Sequence, residues 1–164
     1  MNSVLHSFAY CIDYLHDQVS DIDADDMVAQ PSGITNHPAW VIGHFTFSCQ
    51  AIGGEIGVAC WLPPTCADQY GTGSIPTADI NLYPEKHRAL AMLRKAQSRI
   101  VKAVEQLSKA QLDAPLSDEK YRVILPTVRH ALTQVLIAHP ANHIGQLTIW
   151  RRAMGLPQMT RPFA

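Results

Sequence analysis

The segment AHPANHIGQ, residues 138–146, lies near the carboxyl end of a long apolar stretch. On a helix its two histidines, His139 and His143, are four residues apart, so their imidazoles project from one face, a turn apart. Imidazole nitrogen is a common metal ligand, and a rigid helix presets both rings at little entropic cost. The pair therefore predicts part of a metal site that needs another ligand.

His44 is the candidate for a third ligand, because it lies among the core-forming residues of an earlier apolar segment, residues 40–47. A buried histidine needs a polar partner, since an unpaired buried polar group costs roughly 1–3 kcal/mol. Either a backbone carbonyl satisfies His44 as an ordinary core residue, or His44 joins the other pair around one ion. Three neutral imidazoles favour zinc or nickel over iron or manganese, and they leave coordination positions open.

Two separated elements of the sequence resemble those of the DinB-like superfamily of metal-binding four-helix bundles. The first is NHPAWVIGH, residues 36–44, with the Trp-x-x-Gly-His setting of the second helix, and the second is the His-x-x-x-His-x-Gly-Gln element from residue 139. The resemblance implies that His44, His139 and His143 bind one divalent metal ion. It also implies a homodimer formed through a helix face and activity as a hydrolase or thiol-dependent transferase. The substrate would be a small molecule, such as a low-molecular-weight thiol.

The apolar pattern predicts an all-α chain of four helices joined by polar connectors rich in proline and glycine. Thr35 or Asn36 is expected to cap the second helix, with Pro38 in its first turn. The long irregular segment 61–81 is expected to cross an end of the bundle and to border the cleft. The predicted first and third helices cover residues 2–20 and 84–107, and the second runs from its cap at Thr35 or Asn36 to residue 58. A fourth runs from residue 127 to a stop at residues 155–157.

Pro140 lies between the two histidines of the fourth helix. It removes a backbone donor, and its ring pushes toward the carbonyl of Leu136. An interior proline costs about 3 kcal/mol in an ordinary helix. Either the helix kinks there and re-aims His139, or the freed carbonyl accepts a hydrogen bond from another group. The sequence leaves both open.

Gln146 is a candidate for a residue that supports the metal ligands from behind. It lies one turn beyond His143, where it can hydrogen-bond to that ring or pack in the core. No acid or base can be assigned beside the ion. Glu55 shares a helical face with His44 but lies three turns away, and the residue after His139 is proline rather than the glutamate of zincin-type sites.

Three further histidines are weaker candidates for metal ligands. His37 precedes His44 by two turns, about 10 Å of helical rise, and is interpreted as the start of the helix or a wall of the cleft mouth. His87 is a candidate fourth ligand, with simple exposure to solvent as the alternative. His130 is nine residues before His139, about 180° around a regular helix, so it should face away.

The chain has 164 residues, with 13 basic and 14 acidic side chains and a formal net charge of -1. That length suits one domain, residues 1–164, with a core of its own. The balanced charge argues against a nucleic-acid or membrane-surface partner, because both need clustered Lys and Arg. No secretory signal or membrane span is recognisable, so we expect a soluble, cytoplasmic protein.

The four cysteines lie in no C-x-x-C arrangement. Cys11 and Cys49 follow apolar helical patterns and should be buried. Cys60 and Cys66 flank a proline-containing turn and are expected to be exposed, without a disulfide in a reducing compartment.

Three functions are consistent with these patterns. The first is a metal-dependent enzyme, a hydrolase or a thiol-dependent transferase. The second is a non-catalytic, dimeric bundle that binds a metal or small ligand, in which Trp61, Trp150 and Phe163 either contribute to an apolar contact face or simply pack in the protein. The third is a structural role in which the histidines are ordinary core residues without an ion.

Overall fold

The computed structural model describes residues 1–161, and this part of the chain is helical and contains no strands. The predicted all-α class is therefore confirmed. The three-residue and four-residue 3-10 turns are Asp25–Val28, Pro31–Gly33 and Ile80–Leu82, and a π-helical turn covers Gln134–Ala138. The α-helices are α1 (Asn2–Ser20), α2 (Pro38–Glu55), α3 (Cys66–Tyr70), α4 (Lys86–Glu105), α5 (Lys109–Asp113), α6 (Glu119–Arg122), α7 (Val128–Thr133) and α8 (His139–Ala153).

The long helices pack around one shared core. Helix α2 lies along α4, while α1 lies against α8 and the π-helical turn before it. The apolar stripe of α1 is buried at Leu15 and Val19, and that of α4 at Leu93 and Ile100. Helix α2 is covered on several faces, so a polar ring on it must find its partners inside the protein.

Helix α2 begins at Pro38, which is one residue later than a cap at Asn36 predicts and two later than a cap at Thr35. Its N-cap is His37, whose Nδ1 accepts a hydrogen bond from the backbone N–H of Trp40 at 3.3 Å. The prediction of Thr35 or Asn36 as the cap was therefore wrong. Pro38 takes the first helical position, and the extended backbone before a proline falls on the residue immediately preceding it.

Helix α2 ends at Glu55, three residues before the predicted end at residue 58. Gly57 adopts a left-handed backbone with φ of 82°. Its N–H donates to the carbonyl of Gly54, and the N–H of Val58 donates to that of Gly53. This pair of hydrogen bonds around a left-handed glycine is a common C-terminal capping motif of helices. It satisfies two carbonyls that the helix itself leaves unpaired.

A widened turn accommodates Pro140. The backbone N–H of His139 donates to the carbonyl of Gln134, five residues back, as in a π-helix. The extra residue in the turn makes room for the proline ring and rotates the next part of the helix by about 100° relative to a regular one. His139 and His143 both lie beyond this turn on regular α8, so their four-residue spacing still places them on one face of the helix.

The burial of the cysteines matches the expectation at three of the four positions. Cys11 and Cys49 are buried and Cys60 is exposed, but Cys66 is buried in α3 against the core. All four thiols are free. Among residues 1–161 we find no helix with both the length and the apolar character to cross a bilayer.

Candidate metal centre

Three histidines from two distant helices meet in the interior. Nε2 of His139 lies 2.8 Å from Nε2 of His44 and 3.1 Å from Nε2 of His143. The candidate ligand nitrogens all lie within 4.8 Å of one another. His44 and His143 are buried, and His139 is half-buried at the edge of a cleft.

The ring of His44 is held on two sides. Its Nδ1 lies 2.6 Å from the carbonyl oxygen of Tyr70, and the indole of Trp40 stacks on it at 4.5 Å between ring centroids with an interplanar angle of 11°. A carbonyl oxygen can only accept, so Nδ1 of His44 carries the proton. Nε2 is therefore a lone-pair donor directed toward the other two histidines.

Gly43 lets Tyr70 approach α2 closely enough to reach His44. A Cβ at position 43 would lie 2.1 Å from Cε1 of Tyr70, far inside van der Waals contact. Glycine thus permits the ring of Tyr70 to approach the helix closely, and the carbonyl of the same residue lies within hydrogen-bonding distance of the imidazole. This contact gives a physical reason for the glycine that precedes His44 in the Trp-x-x-Gly-His element.

His143 is oriented in the same way by a different partner. Its Nδ1 lies 2.8 Å from Oε1 of Gln146, which also accepts a hydrogen bond from Nδ2 of Asn36 at 3.0 Å. Of the two roles left open for Gln146, the structure shows the hydrogen bond to the histidine. With Nδ1 donating, Nε2 of His143 presents its lone pair to the cluster.

Burial keeps these imidazoles neutral. It lowers the pKa of His139 to about 3, with further lowering from His143 and His44. Burial and the neighbouring His44 lower the pKa of His143 to about 4, against a small raising by the hydrogen bond to Gln146. The pKa of His44 is lowered by burial, partly offset by its bond to Tyr70. Neutral imidazole is the form that binds metal ions.

The donor set fits a divalent ion. Two Nε2 atoms are fixed as lone-pair donors by their own Nδ1 hydrogen bonds, and Nε2 of His139 lies within hydrogen-bonding distance of both. A proton on Nε2 of His139 can form a good hydrogen bond to Nε2 of either His44 or His143, but not to both. A cation bound by all three nitrogens would satisfy every lone pair of the cluster. Three neutral nitrogens match the ligands of zinc and related ions.

The other sequence-predicted histidines lie elsewhere. His37 is fully buried at the start of α2, with its ring nitrogens 3.1 Å from the carbonyl of Met27 and 2.9 Å from that of Thr77. His87 is exposed and lies 3.4 Å from a carboxylate oxygen of Glu85. His130 is exposed on α7. None of the three joins the cluster found in the described part of the chain.

A cleft of about 340 Å³ opens beside the cluster and is lined by His44 and His139. Segment 61–81 borders it through Thr72, as predicted for that segment. Glu55 also lines the cleft, but its carboxylate is hydrogen-bonded to Ser117 and to none of the three histidines. Sequence reasoning missed the stacking of Trp40 on His44 and the role of the Tyr70 carbonyl. The tryptophan and the glycine of the Trp-x-x-Gly-His element were the signals that pointed to them.

The all-helical fold and the three converging imidazoles fit a helical metal-binding protein. The DinB superfamily model matches residues 8–147, a span that contains all three histidines, and the chain belongs to that superfamily. The search of curated proteins gives no match to this chain. The family and the cluster together support a divalent metal at this site.

Proposed function

We propose that this protein is a metal-dependent enzyme in which His44, His139 and His143 bind one divalent ion, preferably zinc or nickel. The observation that carries the proposal is the convergence of three Nε2 atoms, two of them with the lone pair fixed by an Nδ1 hydrogen bond. Gln146 orients His143 by accepting a hydrogen bond from its Nδ1, the nitrogen opposite the proposed ligand atom, as such partners do in metal sites.

The chemistry we propose is hydrolysis or thiol-dependent transfer on a small molecule, a low-molecular-weight thiol being the candidate co-substrate. A divalent ion held by the three histidines would supply a site that lowers the pKa of bound water toward about 7 or that holds a thiolate. The residues of the chain position this chemistry: Trp40 and Tyr70 orient His44, and the cleft beside His139 admits the substrate. The protein is further proposed to act in the cytoplasm as a homodimer.

Elemental analysis of protein purified without an affinity tag tests the metal. We expect about one equivalent of zinc or nickel in the wild type and a clear loss in His139→Ala. His130→Ala is the matched control, because that histidine is exposed on α7, away from the cluster. Equal metal content in all three proteins would contradict the proposed ligands. Turnover that needs a small thiol and disappears in His44→Ala would establish the enzyme.

One observation favours a second function, a non-catalytic dimeric bundle that binds a metal or small ligand. Neither carboxylate oxygen of Glu55 is free of a partner, since Ser117 donates to both. The contact face suggested for this function loses Trp150, which is fully buried and donates to the carbonyl of Ala29. Phe163 lies outside the described residues. Ligand binding to metal-loaded protein without conversion would favour this function.

A further inference from the structure

A second cavity, of about 350 Å³, is lined by residues of α2, of α4 and of the segment between them. It shares no lining residue with the cleft beside the histidines. Ile42 and Thr46 of α2 line the second cavity, whereas His44 and Ser48 line the cleft, about 200° around the helix. Pockets that hold small ligands begin at about 300 Å³. The second cavity is therefore large enough for a ligand of its own.

Tyr70 lines the second cavity with an unsatisfied polar group. The residue is only 6% exposed, and its hydroxyl has no hydrogen-bond partner among residues 1–161. Burial raises the pKa of Tyr70, with further raising from Cys66 and Tyr83, so the hydroxyl keeps its proton. A buried donor without an acceptor is unfavourable. Because the residue is otherwise buried, a partner has to reach this hydroxyl through the cavity.

The other two buried tyrosines of the described chain have partners in the protein. The hydroxyl of Tyr14 donates to the carbonyl oxygen of Met159 at 3.0 Å. The hydroxyl of Tyr83, which lines the same cavity, accepts from the backbone N–H of Thr77 at 3.2 Å. An unpartnered hydroxyl thus distinguishes Tyr70 from residues of the same type and burial.

Contacts on both sides fix the position of Tyr70. Its backbone carbonyl oxygen lies 2.6 Å from Nδ1 of His44, and its ring lies so close to Gly43 that a Cβ there would be 2.1 Å from Cε1. The ring therefore cannot turn away without breaking the contact with α2. The hydroxyl stays at the cavity as a fixed donor.

The remaining lining of the second cavity favours an uncharged, mostly apolar ligand. Its walls include Leu62, Leu82 and Met92. Arg88 is the one charged side chain in the lining within the described chain, and it is exposed. A buried carboxylate would need a buried cation beside it, whereas a neutral carbonyl oxygen needs only a donor.

We propose that the second cavity binds a small apolar molecule, about the size of one substituted ring, whose carbonyl oxygen accepts a hydrogen bond from the hydroxyl of Tyr70. This site lies beyond the proposed metal function, because none of His44, His139 and His143 lines it.

Acetophenone and ethylbenzene are a matched pair for the test, because they differ only by a carbonyl in place of a methylene group. Titration of the full chain followed by ligand-observed NMR measures both affinities. Tyr70→Phe should weaken acetophenone by about 2- to 10-fold and leave ethylbenzene unchanged, as expected for the loss of one hydrogen bond. Tyr121→Phe is the control, because Tyr121 is exposed and lines the cleft rather than the second cavity.

Thermal unfolding checks that the Tyr70 hydroxyl has no partner in the protein. Tyr70→Phe keeps the ring and the backbone carbonyl, so the stability should be unchanged or higher. Tyr14→Phe should lower the stability, because it removes the hydrogen bond to Met159. An equal loss of stability in both variants would overturn the proposal.

Two further variants locate the binding. Met92→Trp places a larger side chain at a half-buried position of the lining and should weaken both compounds. His139→Ala should leave both affinities unchanged, so that failure of the metal function and failure of this site are distinguishable. The proposal is overturned if neither compound binds, if Tyr70→Phe weakens both equally, or if Met92→Trp changes neither.

Discussion

Nε2 of His44 lies 2.8 Å from Nε2 of His139, although 95 residues separate the two histidines in the chain. His143 brings a third Nε2 to 3.1 Å from that of His139. Each flanking ring is held through its opposite nitrogen, His44 by Tyr70 and His143 by Gln146. The groups that hold the rings should therefore control metal affinity almost as strongly as the ligands themselves.

Gln146→Leu should weaken metal binding without unfolding the protein. The substitution removes the acceptor for Nδ1–H of His143, so that the ring can rotate or change tautomer. Loss of such a partner lowers metal affinity by about 10- to 100-fold. Competition with a coloured chelator measures the affinity, and Gln158→Leu, at an exposed position, is the control. Wild-type affinity in Gln146→Leu would contradict the role given to this residue.

Gly43→Ala should destabilise the protein and weaken the site together. Its new Cβ would lie 2.1 Å from Cε1 of the buried Tyr70, whose displacement would move the carbonyl that holds His44. Forcing a methyl group into a packed core costs about 1–3 kcal/mol. Denaturant unfolding measures the stability, and chelator competition measures the metal affinity.

Gly54→Ala is the matched control on the same helix, because a Cβ there meets no atom within 4 Å. It should leave metal binding unchanged and stabilise the protein by up to about 1 kcal/mol, since alanine favours the helix over glycine. Similar losses in both variants would show that close approach at position 43 is not the cause.

The metal-free protein should lose stability as pH falls below the ordinary histidine range. Burial lowers the pKa of His139 to about 3 and that of His143 to about 4, from an ordinary value of 6.5. Between the folded pKa values and about pH 6.5, these histidines are therefore protonated in the unfolded chain but neutral in the folded chain. The stability that these groups contribute is present above about pH 6.5 and falls toward the folded pKa values, by at most about 1.4 kcal/mol per pH unit for one histidine.

Urea unfolding of metal-free protein between about pH 7 and about pH 5 measures this slope. His139→Gln should flatten it, whereas His87→Gln should not, because His87 is exposed. The same slope in His139→Gln as in the wild type would rule out the cluster as its source.

Asp21→Asn should destabilise the fold through Arg151, which is outside the histidine cluster. The guanidinium of Arg151 is only 1% exposed, and its two terminal nitrogens lie 2.6 and 2.8 Å from the carboxylate of Asp21. Losing charged hydrogen bonds of this kind costs about 1.5–3 kcal/mol, toward the lower value because Asp21 is partly exposed. Thermal unfolding measures the loss, with exposed Asp23→Asn as the control.

The effect of Asp21→Asn should also depend on pH. The hydrogen bond and charge of Arg151 hold the pKa of Asp21 below its ordinary value of 3.8. The contribution of the carboxylate is therefore present above that value and is lost as pH falls through the lower folded pKa. The variant and the wild type should converge in stability only in strong acid, and convergence near neutral pH would contradict the ion pair.

Much of the helical layout could be predicted because it depends on neighbours in the sequence. Helix α1 has the predicted bounds, and α4 begins and ends two residues inside the predicted range 84–107. The spacing of His139 and His143 on one face results from helical repeat alone. The burial of Cys66 escaped prediction because it depends on the core that packs against α3. The cap at His37 follows instead from its place directly before Pro38, a local signal that the predicted caps did not use.

The sequence by itself determined the all-helical class, the pairing of two histidines on one helix, and the need of a core histidine at position 44 for a polar partner. Local periodicity and the cost of burying a polar group are sufficient for these conclusions. Only the tertiary structure decided how the three rings are aimed. The Tyr70 carbonyl and the Asn36–Gln146 contact arise where distant segments meet. Such contacts depend on packing in three dimensions rather than on the order of the residues nearby.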